Sequence, residues 1–473
     1  MAKEYDLVII GGGPGGYVAA VRATQLGMKV AIVEKNKLGG TCLHAGCIPT
    51  KSLLRSAEVY RETVEGLKYG VIANDVAIDF TKVQDRKNGI TDQLHNGIIH
   101  LMKKGKIDVY EGYGRILGPS IFSPMPGTVS VEMNNGEESE MLIPKNVLIA
   151  TGSRPKTLPN LPIDGEYVVT SDEALQLENL PESIIIVGGG VIGVEWASIL
   201  SDFGVDVTII EYADRILPLE DKDISKEITR LFKKKKIKVV TSAQVLGETL
   251  HVDGNVTITA LQKEQEKTFT ANKMLVSIGR QANIENIGLE NTDIVVDKGV
   301  INANEFCQTK ESHIYAIGDV IGGLQLAHVA SHEGIIAVEH MAGENPTPMK
   351  QDTVPKCVYS HPEVASVGLT EQEAVEQGYE VKVGKFSFRG IGKALVHGDV
   401  DGFVKMIVDS KTEDLLGVHM IGPHVTEMIS EATLAKVLDA TAWEISKTIH
   451  PHPALSEAMG EVALAVEGKA LHG

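Results

Sequence analysis

One pattern occurs twice in this chain and restricts what it can fold into more than any other feature. Residues 5–10 are a short apolar run that leads into Gly11-Gly12-Gly13-Pro14-Gly15-Gly16. A helical pattern follows over 17–26, and a second apolar run, 29–33, ends in Glu34. The same order returns from Ser183: an apolar run at 184–187, then Gly188-Gly189-Gly190-Val191-Ile192-Gly193, a helical pattern over 194–203, and a run at 207–210 that ends in Glu211. In both copies the acid stands 23 positions after the first glycine, Gly11 to Glu34 and Gly188 to Glu211. The closing apolar strands correspond as well, 147–152 in the first copy and 274–279 in the second.

Strand, glycine turn and helix in that order belong to parallel sheets covered by helices, and the glycines have separate tasks. Gly11 and Gly188 make the sharp bend, Gly13 and Gly190 let backbone approach a pyrophosphate, and Gly16 and Gly193 let the helix close on the strand. The helix N-terminus then faces the phosphates, and Glu34 or Glu211 is placed to accept hydrogen bonds from a ribose. A single glycine motif says little, and a single Glu34 is more often a solvated strand end. Two copies in register predict an α/β chain with two Rossmann-like dinucleotide-binding domains, the second inserted after most of the first.

The first unit closes late, at another apolar strand, 313–318, with Asp319 at its carboxyl end. Ligands of such sheets lie at that edge, so Asp319 is a candidate contact for the first dinucleotide, with Ala327 and His328 close by. An N-cap role for Asp319 is compatible with this. Gly114, in a stretch at 109–115 that reads as a strand and a turn, and Thr151-Gly152 at the end of the closing strand are further candidates on the first side, and Gly279 on the second. Between Pro119 and Pro144 short strands and frequent turns are expected. After Pro346 the chain alternates strands such as 403–408 with helices such as 426–440 and has no further glycine motif, which points to a separate α+β domain. The expected boundaries are 1–150, 151–280, 281–347 and 348–473.

Just after the first acid comes Gly39-Gly40-Thr41-Cys42-Leu43-His44-Ala45-Gly46-Cys47-Ile48-Pro49-Thr50-Lys51. Five helical residues span about 7.5 Å, more than the roughly 6.8 Å that a disulfide tolerates between Cα atoms. Cys42 and Cys47 can therefore pair only where the backbone departs from a helix, and Gly46 and Pro49 give that freedom at the start of one. A bond in such a place is expected to be easily reduced. Two ordinary buried thiols, or a zinc site from Cys42, His44 and Cys47 that lacks a fourth ligand nearby, remain open at this point. Four cysteines in 473 residues exclude a disulfide-stapled secreted scaffold and suit a reducing compartment, the cytosol, where such a pair does chemistry. Cys307 and Cys357 read as small apolar packing residues.

A net charge of −18 argues against a nucleic-acid partner and chiefly means solubility, with docking of a basic partner as a second use. No apolar run approaches the roughly 20 residues of a membrane span, and Met1 leads almost directly into the first strand without an apolar leader. On the second unit, Glu211 and Asp214 would repel a 2′-phosphate, which favours NAD over NADP, although Arg215 follows directly. A dithiol beside the first nucleotide needs a carrier that takes two electrons from sulfur and passes hydride on, which nominates FAD. Near the end, His450-Pro451-His452-Pro453 is followed by Glu457 about one helical turn into the next element, with Pro453 suited to open that helix. A histidine with a carboxylate partner is a candidate acid-base pair.

Gly11 to Gly16, Cys42 to Lys51, Gly188 to Glu195, Ala316 to Asp319 and His450 to Glu457 together make the chain resemble the pyridine nucleotide-disulfide oxidoreductases over essentially its whole length. The resemblance implies a homodimer whose C-terminal domains form the interface and bring the histidine of one subunit to the dithiol of the other. It implies that His452 is the base, oriented by Glu457, that Cys42 exchanges with a substrate dithiol, and that Cys47 faces the flavin. Lys51 and Glu195 match family positions near flavin and nicotinamide, as an ion pair. It further implies oxidation of a protein-bound dihydrolipoyl group with reduction of NAD. The partners would be the lipoyl domain and core acyltransferase of a 2-oxo-acid dehydrogenase complex, a branched-chain one being a candidate. The chain departs from the family pattern at His44-Ala45, Pro451 and Ala454. Glutathione-type relatives would want basic residues near Glu211, and mercuric-type relatives a C-terminal cysteine pair, whereas this chain ends Gly468 to Gly473 without one. A flavin-bound protein without catalysis is the alternative from another class, and the presence of Cys42, Cys47, His452 and Glu457 counts against it.

Overall fold

The computed structural model describes residues 3–119 and 126–472, with the side chains of 248–252 outside the description. Part of the turn-rich stretch expected after Pro119 therefore lies outside the described residues. The chain forms two compact units, one of residues 1–52, 81–156 and 280–349, the other of 53–80, 157–279 and 350–473.

In the first unit β1 (Lys3–Ile10), α1 (Pro14–Gln25) and β2 (Val30–Glu34) are followed by α2 (Gly40–His44), by the first residues of α3 (Cys47–Val64), whose remainder from 53 onward belongs to the second unit, and by α4 (Phe80–Gly105), then β3 (Asp108–Ile116), β4 (Val129–Met133) and β5 (Glu140–Ile149). β1 pairs in parallel with β2 on one side and β5 on the other, β2 pairs with β3, and β5 takes the late strand Ile314–Ala316 at its free edge. Leu7, Ile9, Ile32 and Leu148 are wholly buried on one face and Val8, Ala31, Val147 and Ile149 on the other, as a sheet covered on both sides requires. The stretch 109–115 is a continuous strand without the expected turn. Gly112 and Gly114 are accommodated inside it, since the far half of β3 swings over to pair antiparallel with β4, and a Cβ at Gly112 would lie 2.3 Å from the Glu132 carbonyl oxygen. Two short strands, Ser153–Pro155 and Arg280–Ala282, pair antiparallel where the chain leaves this unit and returns to it.

In the second unit a five-stranded parallel sheet places Ser183–Val187 between Asp206–Ile210 and Lys273–Val276, repeating the arrangement around β1. A five-stranded antiparallel sheet carries the C-terminal region in the order Lys356–Val358, Glu363–Gly368, Leu415–Gly422, Phe403–Asp409 and Val381–Ser387. Its apolar core includes Phe386, Val404 and Met406, with Ala458, Met459 and Val462 from the helix Glu457–Val466 packed on them. That helix begins at Glu457 itself and not at Pro453: the Glu457 carboxylate turns back to accept the Ala454 N–H (2.9 Å), folding residues 453–456 into a turn ahead of it. Among the described residues no helix is long and apolar enough to cross a membrane.

Candidate active site

The dithiol segment breaks helical geometry where the spacing requires it. α2 ends at His44, Ala45 leaves the helical region with φ −139°, and α3 starts at Cys47. The Cys42 and Cys47 Cα atoms are thereby 4.6 Å apart and their sulfurs are bonded, which removes both the zinc and the free-thiol readings. Cys47 is the first residue of an 18-residue helix, where the unpaired N–H groups favour negative charge. Pro49 lies in the first turn, where a missing N–H leaves no hydrogen bond unmade. Lys51 stands on α3 four residues after Cys47, on the same side of the helix.

The two glycine turns match in detail. Gly11 has φ +109° and Gly188 +110°, and a Cβ there would lie 2.2 Å from Ala150 O in the first and 2.4 Å from Ser277 O in the second. A Cβ at Gly16 or Gly193 would meet the carbonyl oxygen of Gly11 or Gly188 at 2.0 Å. Outward the turns are open: a Cβ at Gly13 would meet only Gly40 Cα, at 4.0 Å, and Gly152, Gly190 and Gly279 have nothing within 4 Å. A tight inner side and an open outer side at a helix N-terminus fit a dinucleotide pyrophosphate. Glu34 and Glu211 have a task that the sequence did not disclose. Glu34 accepts the N–H groups of Gly12 (2.7 Å) and Asn36 (2.8 Å), and Glu211 those of Gly189 and Ala213. Each carboxylate holds its own glycine turn and keeps further lone pairs for a ribose.

Around Thr151-Gly152, Asn283 donates to the Thr151 carbonyl (3.0 Å), while its own carbonyl accepts the Thr151 hydroxyl (2.7 Å) and its N–H donates to Gly152 O (2.9 Å). Asp319 sits in a short 3₁₀ turn and accepts the Ser153 hydroxyl, with Arg280 Nε 3.7 Å away. The Gly318 N–H beside it donates to buried Glu333 (2.7 Å), whose carboxyl is pushed up to about 7, first by burial and also by Asp319. Ala327 opens the helix Ala327–Met341, which packs so closely on α1 that a Cβ at Gly334 would lie 2.8 Å from Gly15 O. Asn283, Ser153, Arg280 and Glu333 were not singled out in the sequence. Only Ser153, adjacent to Thr151-Gly152, carried a local signal. Gly114 faces Val33 and Ile10 and so contributes close packing beneath the turn.

In the second unit Glu195 lies on the helix Val191–Asp202, is 4% exposed, and accepts the Tyr359 N–H at 2.9 Å. Arg215 donates to Pro218 O (2.9 Å) and pairs with Asp214 (3.2 Å). The two C-terminal histidines differ sharply. His450 has a side chain only 9% exposed and is bound to Glu431 (2.8 Å), whereas the His452 side chain is 78% exposed and its Nδ1 lies 2.8 Å from Glu457 Oε1. A ring nitrogen facing a carboxylate carries the hydrogen, so Nε2 of His452 presents its lone pair outward. The Ala454 N–H and then the His452 ring hold the Glu457 carboxyl below its ordinary range. Cys307 is buried, and Cys357 packs partly against the C-terminal core.

The sequence profile of the pyridine nucleotide-disulphide oxidoreductases matches residues 5–334, and that of their dimerisation domain matches residues 354–463. The chain belongs to the pyridine nucleotide-disulphide oxidoreductase family and is an FAD- and NAD-dependent oxidoreductase with a domain of the kind that forms homodimers. It is 68% identical over 473 residues to a dihydrolipoyl dehydrogenase of Bacillus subtilis and 44% identical over 476 residues to one of Zymomonas mobilis, in each case across all of both chains. Among solved structures it resembles LpdA from Mycobacterium tuberculosis, with TM-score 0.89 and 26% identity over 98% of this chain and 99% of that one. It also resembles the HOCl-induced flavoprotein disulfide reductase RclA from Escherichia coli, with TM-score 0.84 and 28% identity over 97% and 99%.

Proposed function

We propose that the chain works as a dihydrolipoyl dehydrogenase through the residues assembled above. The observation that carries this reading is the Cys42–Cys47 bond at the N-terminus of α3, beside the first glycine turn, in a chain 68% identical to such an enzyme from end to end. His452, held in one tautomer by Glu457, takes a proton at Nε2 from a dihydrolipoyl thiol. The substrate thiolate attacks Cys42, the second substrate thiol displaces it to close the lipoyl ring, and Cys47 is left as a thiolate. The helix start at Cys47 and the charge of Lys51 stabilise that thiolate. FAD, when bound, supplies the two-electron link between this dithiol and NAD. Gly11, Gly13, Gly16, Glu34, Lys51, Thr151, Gly152, Asp319 and Ala327 would hold it, with Gly114 packed beneath the turn, while Gly188, Gly190, Gly193, Glu195, Glu211 and Gly279 would hold NAD.

In this reading the C-terminal domain of one subunit of a homodimer brings His452 to the dithiol of the other. The protein serves in the cytoplasm on the lipoyl domain and core acyltransferase of a 2-oxo-acid dehydrogenase complex. The purified yellow protein, mixed with dihydrolipoamide and NAD, should produce the NADH absorbance band with ping-pong kinetics. Bound FAD without any NADH would overturn the reading. Co-sedimentation with pyruvate-type cores but never with branched-chain ones would overturn the branched-chain assignment.

A further inference from the structure

The second glycine turn is held by a series of hydrogen bonds that starts at Gly189 and ends on the C-terminal sheet, all within one compact unit. Gly189 O accepts the Leu217 N–H at 2.8 Å, and a Cβ at Gly189 would lie 2.7 Å from Ile216 Cγ2, so residues 216–217 rest directly on the turn. Leu217 has φ +48°, a left-handed conformation that such a residue adopts only where its surroundings impose it. Its carbonyl uses both lone pairs, on the Glu220 N–H and on the hydroxyl of buried Ser225, each at 3.0 Å. The Ser225 N–H in turn donates to Asp221 O at 3.0 Å, and the Asp221 carboxylate caps the helix Lys222–Lys234 by accepting the Asp223 N–H at 2.9 Å.

Asp221 is anchored from outside its own segment by Lys405, which lies within the strand Phe403–Asp409 and has a side chain only 3% exposed. Lys405 Nζ is 2.9 Å from Asp221 Oδ1, 3.2 Å from Asp223 Oδ2 and 2.7 Å from Glu371 Oε2. The three hydrogens of one ammonium thus meet three carboxylates. The Glu371 N–H, at the start of the helix Glu371–Glu376, donates to the other Asp221 oxygen at 3.3 Å. Across the sheet Lys385 and His419 stand opposite Lys405. Lys385 is half-exposed and pairs with Asp223 at 3.4 Å, and His419 is committed through Nε2 to Leu369 O. Lys405 therefore joins the cap of the helix after the turn to the C-terminal sheet, and without its charge three carboxylates would be left facing one another in a partly dry setting.

We propose that Lys405 is a positioning residue for NAD: by holding Asp221 it fixes residues 217–221 against Gly189 and keeps the second turn in the shape that receives the nucleotide. The proposal rests on the reading that this turn binds NAD. The first turn takes the corresponding bond from the Gly39 N–H, on the segment that leads to the dithiol. The flavin side therefore has no share in Lys405, and loss of the lysine should act on one nucleotide only.

Equilibrium dialysis of NAD against the oxidised holoenzyme tests this without turnover. Lys405→Met keeps the length of the side chain and removes the ammonium, and its Kd for NAD should rise by about tenfold while the flavin bands stay as in the natural protein. In steady state the KM for NAD should rise and that for dihydrolipoamide stay unchanged, a split that general loosening of the fold would not give. Asp221→Asn parts Lys405 from the cap yet keeps a good capping residue, and should weaken NAD in the same direction; it decides alone if Lys405→Met fails to fold. A lower melting point with an unchanged Kd for NAD would make Lys405 a packing residue and overturn the proposal. Loss of flavin to the same degree as NAD would overturn it too. Gly193→Ala, measured alongside, separates the two readings: if it weakens NAD and neither of the other variants does, the proposal alone falls. If it leaves NAD untouched, the assignment of NAD to this turn falls and the proposal with it.

Discussion

At their second glycines both dinucleotide turns donate an N–H to the acid that closes the following strand, Glu34 or Glu211, and both receive one back from the chain beyond it. Gly39 N–H donates to Gly12 O and Leu217 N–H to Gly189 O, each at 2.8 Å. From that point they diverge. After Gly39 the first copy runs through a second positive-φ glycine straight into α2 and the dithiol. After Leu217 the second runs through Pro218 to a helix capped by Asp221, whose carboxylate also binds buried Lys405 (2.9 Å). In the proposed function the same cradle would serve a cofactor beside the dithiol in one copy and a nucleotide that must come and go in the other. The two copies part in structure at the few residues after the acid.

The sharpest way to break this comparison is to damage the two turns equally. Alanine at Gly16 or at Gly193 puts a Cβ 2.0 Å from a carbonyl oxygen in either case, a clash worth roughly 1–3 kcal/mol or more. Gly16→Ala should purify with little flavin, read as loss of the visible flavin bands. Gly193→Ala should stay yellow while its affinity for NAD falls by about tenfold to a hundredfold. Loss of flavin from both variants would show that the two turns do not hold separate nucleotides.

Much of this was legible from residue order because the turns are local. The bend, the helix start and the acid lie within 24 residues, 11–34 in the first copy, and the steric need for glycine at positions 16 and 193 is met by the carbonyl oxygens of Gly11 and Gly188 close by. The break between α2 and α3 was legible as well, since helix rise alone forbids the Cys42–Cys47 bond without it. What stayed hidden depends on partners far along the chain. Asn283 reaches Thr151 across 132 positions, Glu333 takes a hydrogen bond from Gly318, and His95 meets the Leu38 carbonyl 57 positions away. The turn expected near Gly112 and Gly114 failed for the same reason: these glycines answer to Glu132 on a neighbouring strand, not to a local bend. Pro453 looked like a helix opener until the side chain of Glu457 folded the residues before it.

A second difference between the copies is testable at smaller amplitude. The helix after the second turn carries buried Glu195 seven positions after Gly188, where the first helix has half-buried Val18 seven positions after Gly11. Glu195→Val makes the second helix like the first and deprives the Tyr359 N–H of its carboxylate. A lost buried hydrogen bond of this kind costs roughly 1–3 kcal/mol, which calorimetry should show as a melting point lower by several degrees. An unchanged melting point would mean that Glu195 serves the nucleotide site alone and not the packing of its unit.

The smallest expected effect concerns the acids themselves. Glutamine at position 34 or 211 keeps one acceptor oxygen but turns an amide NH₂ towards one of two backbone donors, Gly12 or Asn36 in the first copy and Gly189 or Ala213 in the second. A single weakened bond costs about 1 kcal/mol, so each variant should bind its own nucleotide several-fold less well and leave the other unaffected. Glu211→Gln has one further consequence. Arg215, which could have attracted a 2′-phosphate, has its two Nη atoms on Pro218 O and Asp214, so in the proposed function discrimination against NADP would fall to the negative charge of Glu211 and its neighbour. Two like charges about 4 Å apart repel by roughly 1 kcal/mol in water and about 4 near a protein surface. Removing one should raise the ratio of kcat/KM for NADP to that for NAD by about tenfold, at the lower part of that span, even as both absolute values fall. The ratio is the informative quantity, because damage to the turn lowers both nucleotides alike whereas relief of repulsion acts on one. An unchanged ratio would assign the discrimination to Asp214 and leave Glu211, like Glu34, as the residue that holds its turn.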